Sequence, residues 1–271
     1  MVEESDVVSY FNFPLQLKPG EKEQGYFLYL AQKFGNFLET YDGVGYYGFH
    51  SGEDWHIRKK QTERDNIGTN ESADKPVYAI GPGKVLKVSK IGDGSRGMWV
   101  LIEHTVELGG RPFIIPAKEI ESHGEKTSYG KDEVYKIYSA YGHLDKLVVK
   151  EGDNIDNINN ENTIIGYIKD MSGPHLHFEI RHPKSQSSGT GQLAGDSRYW
   201  QIFTSGKNKG KFNGYYTDLK KMVEEKAGFR CPSDFIEANL KISITVSEEH
   251  EEELLEENSK TEIGRIVFES W

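Results

Sequence analysis

The chain lacks the features that mark several large protein classes. It has one cysteine, Cys231, so it can form neither an internal disulfide nor a cysteine-based structural zinc site. No apolar run approaches the ~18 residues of a transmembrane helix, and the mean hydropathy is −0.65. Positive charge is outweighed: 33 Lys and Arg face 43 Asp and Glu, for a formal net charge of −10. A chain this acidic makes a poor general binder of nucleic acid, because the phosphate contribution needs clustered cations. No Gly-x-Ser-x-Gly elbow, no P-loop and no His-Glu-x-x-His helix occurs. The start, Met1-Val2-Glu3-Glu4-Ser5-Asp6, has neither the basic residues nor the apolar core of a secretory signal. Two readings stay open: no export by that route, or a signal removed and a new Met1 supplied.

What is present favours strands and turns. Glycine, at 29 of 271 residues, exceeds its average usage of ~7%, and there are 15 Tyr and 13 Phe. Residues 24–38 read as a short helix or an irregular segment, and the polar stretch 57–76 reads as a loop. Val77–Ile80 and Lys84–Val88 read as strands around the Gly81-Pro82-Gly83 turn. Residues 98–104, 134–142 and 163–168 are further strands, and 105–133 reads as an inserted hairpin or loop. Residues 183–213 are rich in Ser, Gly and Lys. Residues 216–228 suggest one amphipathic helix. Seven glutamates between Glu248 and Glu257 mark an acidic tail element.

The chemistry falls on three short segments. In His175-Leu176-His177-Phe178-Glu179-Ile180-Arg181, strand alternation puts Leu, Phe and Ile on an apolar face and His, His, Glu and Arg on the other. Two same-face imidazoles can address one metal, although nine histidines make a chance His-x-His pair common. In His50-Ser51-Gly52-Glu53-Asp54, an imidazole and a carboxylate lie four apart with a glycine at the centre. Zinc accepts both donor types. His56, two residues on, reads as a surface residue. In Tyr141-Gly142-His143-Leu144-Asp145, a histidine closes a strand. Together these supply three ligands, His50, Asp54 and one of His175 and His177. Three protein ligands and one open position describe a catalytic zinc rather than a structural one. The other two histidines are left for proton transfer and transition-state stabilisation.

Four segments in order carry a resemblance: Gly48–Asp54, Pro76–Ile80 with Gly83-Lys84-Val85, Tyr141–Leu144, and Ser172–Glu179. In that order they resemble the lysostaphin/LytM-type zinc metallopeptidases, over about residues 10–182, with a looser echo at Cys231–Ile236. The resemblance implies a mainly β fold: an antiparallel sheet or sandwich of the duplicated-hybrid-motif type with long loops, to which a C-terminal helix is added. It implies one Zn2+ per chain held by His50, Asp54 and His177, with His143 and His175 as the unliganded catalytic pair. Tyr46 and Tyr47 are candidates for assistance at the oxyanion. The implied activity is a zinc endopeptidase cleaving peptide bonds in peptidoglycan, in stem peptides or cross-bridges. The implied partners are peptidoglycan peptides, with an extracellular, periplasmic or cell-wall location if a signal was removed. The expected organisation is a metallopeptidase-like β domain over 1–240, with its core at about 40–182, followed by an acidic tail over 241–271. The alternative is a non-catalytic peptidoglycan-binding or hydrolase-regulating module on the same fold. A third reading is a metallohydrolase acting on another Gly-rich protein.

Overall fold

The computed structural model describes residues 11–39, 47–62, 64–91, 94, 96–106, 110–155, 163–184, 200–202, 212–216, 218–224 and 228–240, all within the unit Met1–Leu240. The acidic tail element and most of the Ser- and Gly-rich stretch 183–213 lie outside them. The strands begin with β1 (Tyr26–Gln32), β2 (Phe37–Glu39), β3 (Tyr47–Phe49), β4 (Glu53–Lys59), β5 (Thr69–Asn70), β6 (Pro76–Tyr78), β7 (Gly83–Lys90) and β8 (Met98–Thr105). The insertion contributes β9 (Phe113–Ile115), β10 (Lys118–Ser122), β11 (Glu125–Tyr129) and β12 (Asp132–Val134). Then come β13 (Lys136–Asp145), β14 (Asn154–Ile155), β15 (Ile164–Ile168), β16 (Leu176–Arg181), β17 (Trp200–Ile202) and β18 (Phe212–Tyr216). Helix α1 (Leu219–Val223), strand β19 (Phe229–Arg230) and helix α2 (Pro232–Ala238) complete the described chain.

The expected antiparallel β architecture is what forms. An eleven-stranded sheet runs β1-β4-β16-β13-β8-β7-β14, with β5, β6, β15 and β19 branching from it. A four-stranded sheet runs β17-β18-β3-β2. On β8 and β13 apolar residues alternate onto both faces. Val100, Ile102, Ile137 and Tyr141 join the main core, while Trp99, Leu101, Tyr138 and Ala140 form a separate cluster. A third cluster packs Phe34, Phe49 and Ile120 against Tyr216, Leu219, Met222 and Phe229.

Several local expectations change. Residues 24–38 form two strands, not a helix: the run Tyr26-Phe27-Leu28-Tyr29-Leu30 is aromatic-rich and pairs along β4, and Gly35, at φ +78°, ends it. The stretch 57–76 is less of a loop than its polarity suggests, because β4 continues to Lys59 and β5 pairs with it. The strands flanking Gly81-Pro82-Gly83 do not pair with each other. β6 pairs with β15, and β7 pairs with β8 and β14. The helix expected over 216–228 is only the five-residue α1, started by the Asp218 side chain accepting from the Lys221 amide at 3.0 Å. The insertion does hold a hairpin, β10–β11. It docks on β2, where the Phe37 amide donates to Ser122 Oγ at 3.0 Å and the Phe37 ring stacks on His123.

Two tight features tie the sheet together. A Cβ on Gly52 would press on the Phe178 carbonyl oxygen of β16 and come within 3.0 Å of His177 Nε2. Only glycine lets the β3–β4 turn lie this close to β16. Deeper in the sheet, His104 is fully buried between the Pro82 carbonyl, 2.6 Å from Nδ1, and Ser139 Oγ, 2.7 Å from Nε2. A carbonyl only accepts, so Nδ1 carries the proton and Nε2 accepts from Ser139. Burial pulls this imidazole down to about 4.

Gly52→Ala is expected to destabilise the fold by about 1–3 kcal/mol, as overpacking against backbone does, read as a lower urea midpoint at unchanged m-value. Between pH 6.5 and 4 the unfolded chain takes a proton at residue 104 that the native state refuses, so this part of the stability is lost as pH falls. At about 1.4 kcal/mol per unit, the site alone costs about 3 kcal/mol by pH 4. Urea unfolding of wild type and His104→Gln across that window checks it. The variant's stability should fall less steeply, and parallel pH profiles would refute the assignment.

Candidate metal centre

Strand register builds the site. β4 and β16 pair so that Asp54 lies opposite His177, and β16 and β13 pair so that His177 lies opposite Gly142. Directly opposite residues on adjacent strands bring their side chains together. Asp54 and His177 are thus neighbours across the sheet, although 123 residues separate them in the chain. His50 joins them from the β3–β4 turn. Its amide donates to the Asn36 carbonyl at 2.9 Å, and its carbonyl accepts from the Gly35 amide at 2.8 Å. The backbone at the turn is therefore held on both sides.

Three donor atoms result, close to one another. Asp54 Oδ1 is 2.9 Å from His177 Nδ1 and 3.2 Å from His50 Nε2, and the two nitrogens are 3.1 Å apart. A tetrahedral zinc with bonds of ~2.0–2.1 Å spaces its ligands at about 3.3–3.4 Å. The observed triangle needs to open by only a few tenths of an ångström. His50, Asp54 and His177 are all buried, and the set is a group able to hold a metal ion. Two imidazole nitrogens and one carboxylate oxygen match zinc's preferred donors.

The electrostatics suit a cation. Burial alone would neutralise Asp54, but His50, His175 and His177 around it hold its carboxyl well below the usual carboxylate range. Burial also opposes a charge on His177, yet hydrogen bonds to Asp54 and Glu179 push its imidazole up to about 9. A metal held by the triangle would take the place of the proton on Nδ1.

The two other histidines sit beside the triangle. The rings of His143 and His175 are 4.4 Å apart, and His143 lies 6.2 Å from His177. His175 Nε2 is 3.6 Å from Asp54 Oδ1. His143 Nδ1 lies 3.0 Å from the Arg96 carbonyl, and His175 Nδ1 lies 2.8 Å from the Gly173 carbonyl. Both Nδ1 atoms therefore carry a proton, and the Nε2 of His175 faces the Asp54 carboxylate. His143 owes its position to a bulge. Tyr141 pairs with Val100 and Leu144 with Met98, so β13 spends an extra residue there, and His143 takes φ +63°. A bulge of this kind re-aims a side chain. Burial, with His175 and His177 nearby, holds the His143 imidazole well below its ordinary value, and it stays neutral at neutral pH.

Tyr46 lies outside the described residues, and Tyr47 is placed in β3 by its backbone. His56 is not the surface residue its position suggests: it is 8% exposed and stacks on His175 at 5.6 Å. Asn70 Nδ2 donates to His56 Nδ1 at 2.8 Å and to the Pro174 carbonyl at 2.9 Å, which fixes the approach to His175. Sequence reasoning did not single out Asn70, which lies in a polar stretch without a motif. The polar face of β16 holds more than its histidine, because Glu179 and Arg181 are buried with His177.

Comparison with known proteins gives limited overlap. No family model matches the chain, and no curated protein matches it. Among solved structures, a zinc-containing peptidase from Vibrio cholerae is 22% identical, with a TM-score of 0.35, over 64% of this chain and 37% of its own. The antimicrobial peptidase lysostaphin from Staphylococcus simulans is 20% identical, with a TM-score of 0.32, over 56% of this chain and 43% of its own. The SpoIIQ–SpoIIIAH pore-forming complex is 19% identical, with a TM-score of 0.35, over 65% of this chain and 85% of that one. The chain thus spans less than half the length of the first two. These likenesses assign no activity to it, and the functional reading rests on the residues themselves.

Proposed function

We propose that this chain is a zinc-dependent endopeptidase that hydrolyses peptide bonds in bacterial peptidoglycan. The observation that carries the reading is the buried triangle of His50 Nε2, Asp54 Oδ1 and His177 Nδ1, with edges of 2.9–3.2 Å, beside two further imidazoles. The order of the four segments that resemble lysostaphin/LytM-type enzymes supports the substrate class. In this reading His50, Asp54 and His177 hold the ion. When bound, zinc supplies Lewis acidity, polarising a peptide carbonyl and making a water easier to deprotonate.

The remaining work belongs to His143 and His175. With Nδ1–H tied to a backbone carbonyl, each ring is fixed in orientation and tautomer. Proton exchange then falls to Nε2: a neutral ring accepts there, and a protonated ring donates from the same atom. One of the pair, neutral, takes the proton from the attacking water on its Nε2 and passes it from that atom to the leaving amine. The other, protonated at Nε2 beforehand, donates to the oxyanion as it develops. The neutrality of His143 suits it to accepting. Among the described residues no helix is long and apolar enough to cross a membrane.

Purified wild type should carry one zinc per chain and clear a suspension of purified cell walls. His177→Ala should lose both the metal and the clearing. Zinc without clearing would point to another substrate or a blocked groove, and no zinc after reconstitution would refute the enzyme and favour the regulatory module. His143→Ala and His175→Ala should each keep the zinc and lose about 10²–10⁴-fold in wall hydrolysis, the usual weight of a positioned acid–base group. Full activity in either would remove that residue from the mechanism.

A further inference from the structure

Behind His177 lies a buried hydrogen-bonded chain that reaches away from the triangle. Glu179 Oε1 is 3.0 Å from His177 Nε2 and accepts from Ser51 Oγ at 3.0 Å. Glu179 Oε2 accepts from Arg181 Nε at 2.9 Å and from Arg181 Nη2 at 2.5 Å. His177, Glu179 and Arg181 share one face of β16 at two-residue spacing, and none is more than 1% exposed. The Arg181 guanidinium lies over the Phe229 ring at 5.2 Å, so β19 closes the far end.

The carboxylate sits between donors on every side. An acceptor facing His177 Nε2 keeps a proton on that nitrogen, which leaves Nδ1 as the atom turned toward Asp54 and His50. Ser51 lies in the turn that carries His50. One oxygen of Glu179 therefore orients His177 and anchors the His50 turn to β16 at once. Arg181 saturates the other oxygen.

We propose that Glu179 is a positioning residue for the metal site: it sets the tautomer and orientation of His177 and, through Ser51, the placement of His50. This rests on the metal reading of the triangle. The chemistry requires a carboxylate. A glutamine that turned its carbonyl to His177 and Ser51 would aim its NH2 at the donors of Arg181. Turned the other way, its NH2 would face His177 Nε2 and force that nitrogen to accept. The imidazole proton would then sit on Nδ1, the atom that the metal needs. Loss of such a partner typically weakens metal affinity by ~10–100-fold.

The test measures metal binding rather than catalysis. Zinc affinity is taken by competition with a chromophoric chelator, and the visible spectrum of the Co2+-loaded protein reports ligand geometry. Wild type, Glu179→Gln and the double variant Glu179→Leu/Arg181→Leu are compared. The double variant removes both members of the buried ion pair, so it is expected to keep the fold where the single one loses it. Both folded variants are expected to bind zinc about 10–100-fold more weakly, with altered Co2+ bands, even where the unfolding midpoint matches wild type. Affinity within about threefold of wild type and an unchanged Co2+ spectrum in either folded variant would overturn the positioning role while leaving the zinc reading intact. A wild type that takes up neither ion would overturn the zinc reading and this role with it.

Discussion

The register between β4, β16 and β13 is the constraint on which everything else in this molecule depends. Asp54, His177 and Gly142 form one row across three adjacent strands. A slip of one residue along β16 would turn His177, Glu179 and Arg181 to the opposite face and bring Leu176, Phe178 and Ile180 into their place. The apolar set is packed into the main core, so such a slip would bury three polar groups in hydrocarbon and strand three apolar ones against carboxylates and imidazoles. Hydrophobic burial on one face of β16 thereby enforces polar geometry on the other. Core packing and site geometry are two sides of one strand.

The polar face is costly to bury, and the protein offsets the cost by partnering. Asp54 faces histidines, Glu179 faces Arg181, His177 and Ser51, and the guanidinium is covered by an aromatic ring. A buried charge without such partners would shift to its neutral form or destabilise the fold. On the opposite side of β4, Glu53 accepts from Ser233 Oγ at 2.6 Å and from Trp55 Nε1 at 3.0 Å, which ties the C-terminal segment to the strand that carries Asp54. Burial pushes the Glu53 carboxyl up. The C-terminal segment is thus part of the site's support: β19 pairs with β16, and α2 bonds to β4 through Ser233.

The sequence carried a good part of this. Alternation over residues 175–181 announced a strand with one apolar face, because period-two patterning survives in any context. The His50 and Asp54 spacing around Gly52 gave a turn with two donors, and the structure brings these together with His177. The coverage of the second face of β16 was not legible. The segments that bury it, the β3–β4 turn and Phe229, come from opposite ends of the chain, and local pattern carries no trace of them. For the same reason His56 read as a surface group and Asn70 did not stand out. The aromatic run at 26–30 was ambiguous because its period is neither two nor 3.6, and pairing with β4 decided it. The bulge at Gly142 and His143 had no signal either, since a histidine gives no warning of a left-handed backbone.

That left-handed histidine has an evolutionary consequence. An L-residue with a Cβ at φ +63° costs roughly 1–2 kcal/mol relative to ordinary backbone, whereas glycine adopts the conformation almost freely. Backbone conformation alone therefore favours glycine at this position, and the buried imidazole, bonded to the Arg96 carbonyl, holds the conformation against that preference. Under the proposed function, selection for hydrolysis would hold an imidazole at a position whose backbone prefers glycine. Strain of this kind gathers at functional sites, and here it is visible in the backbone without reference to any substrate.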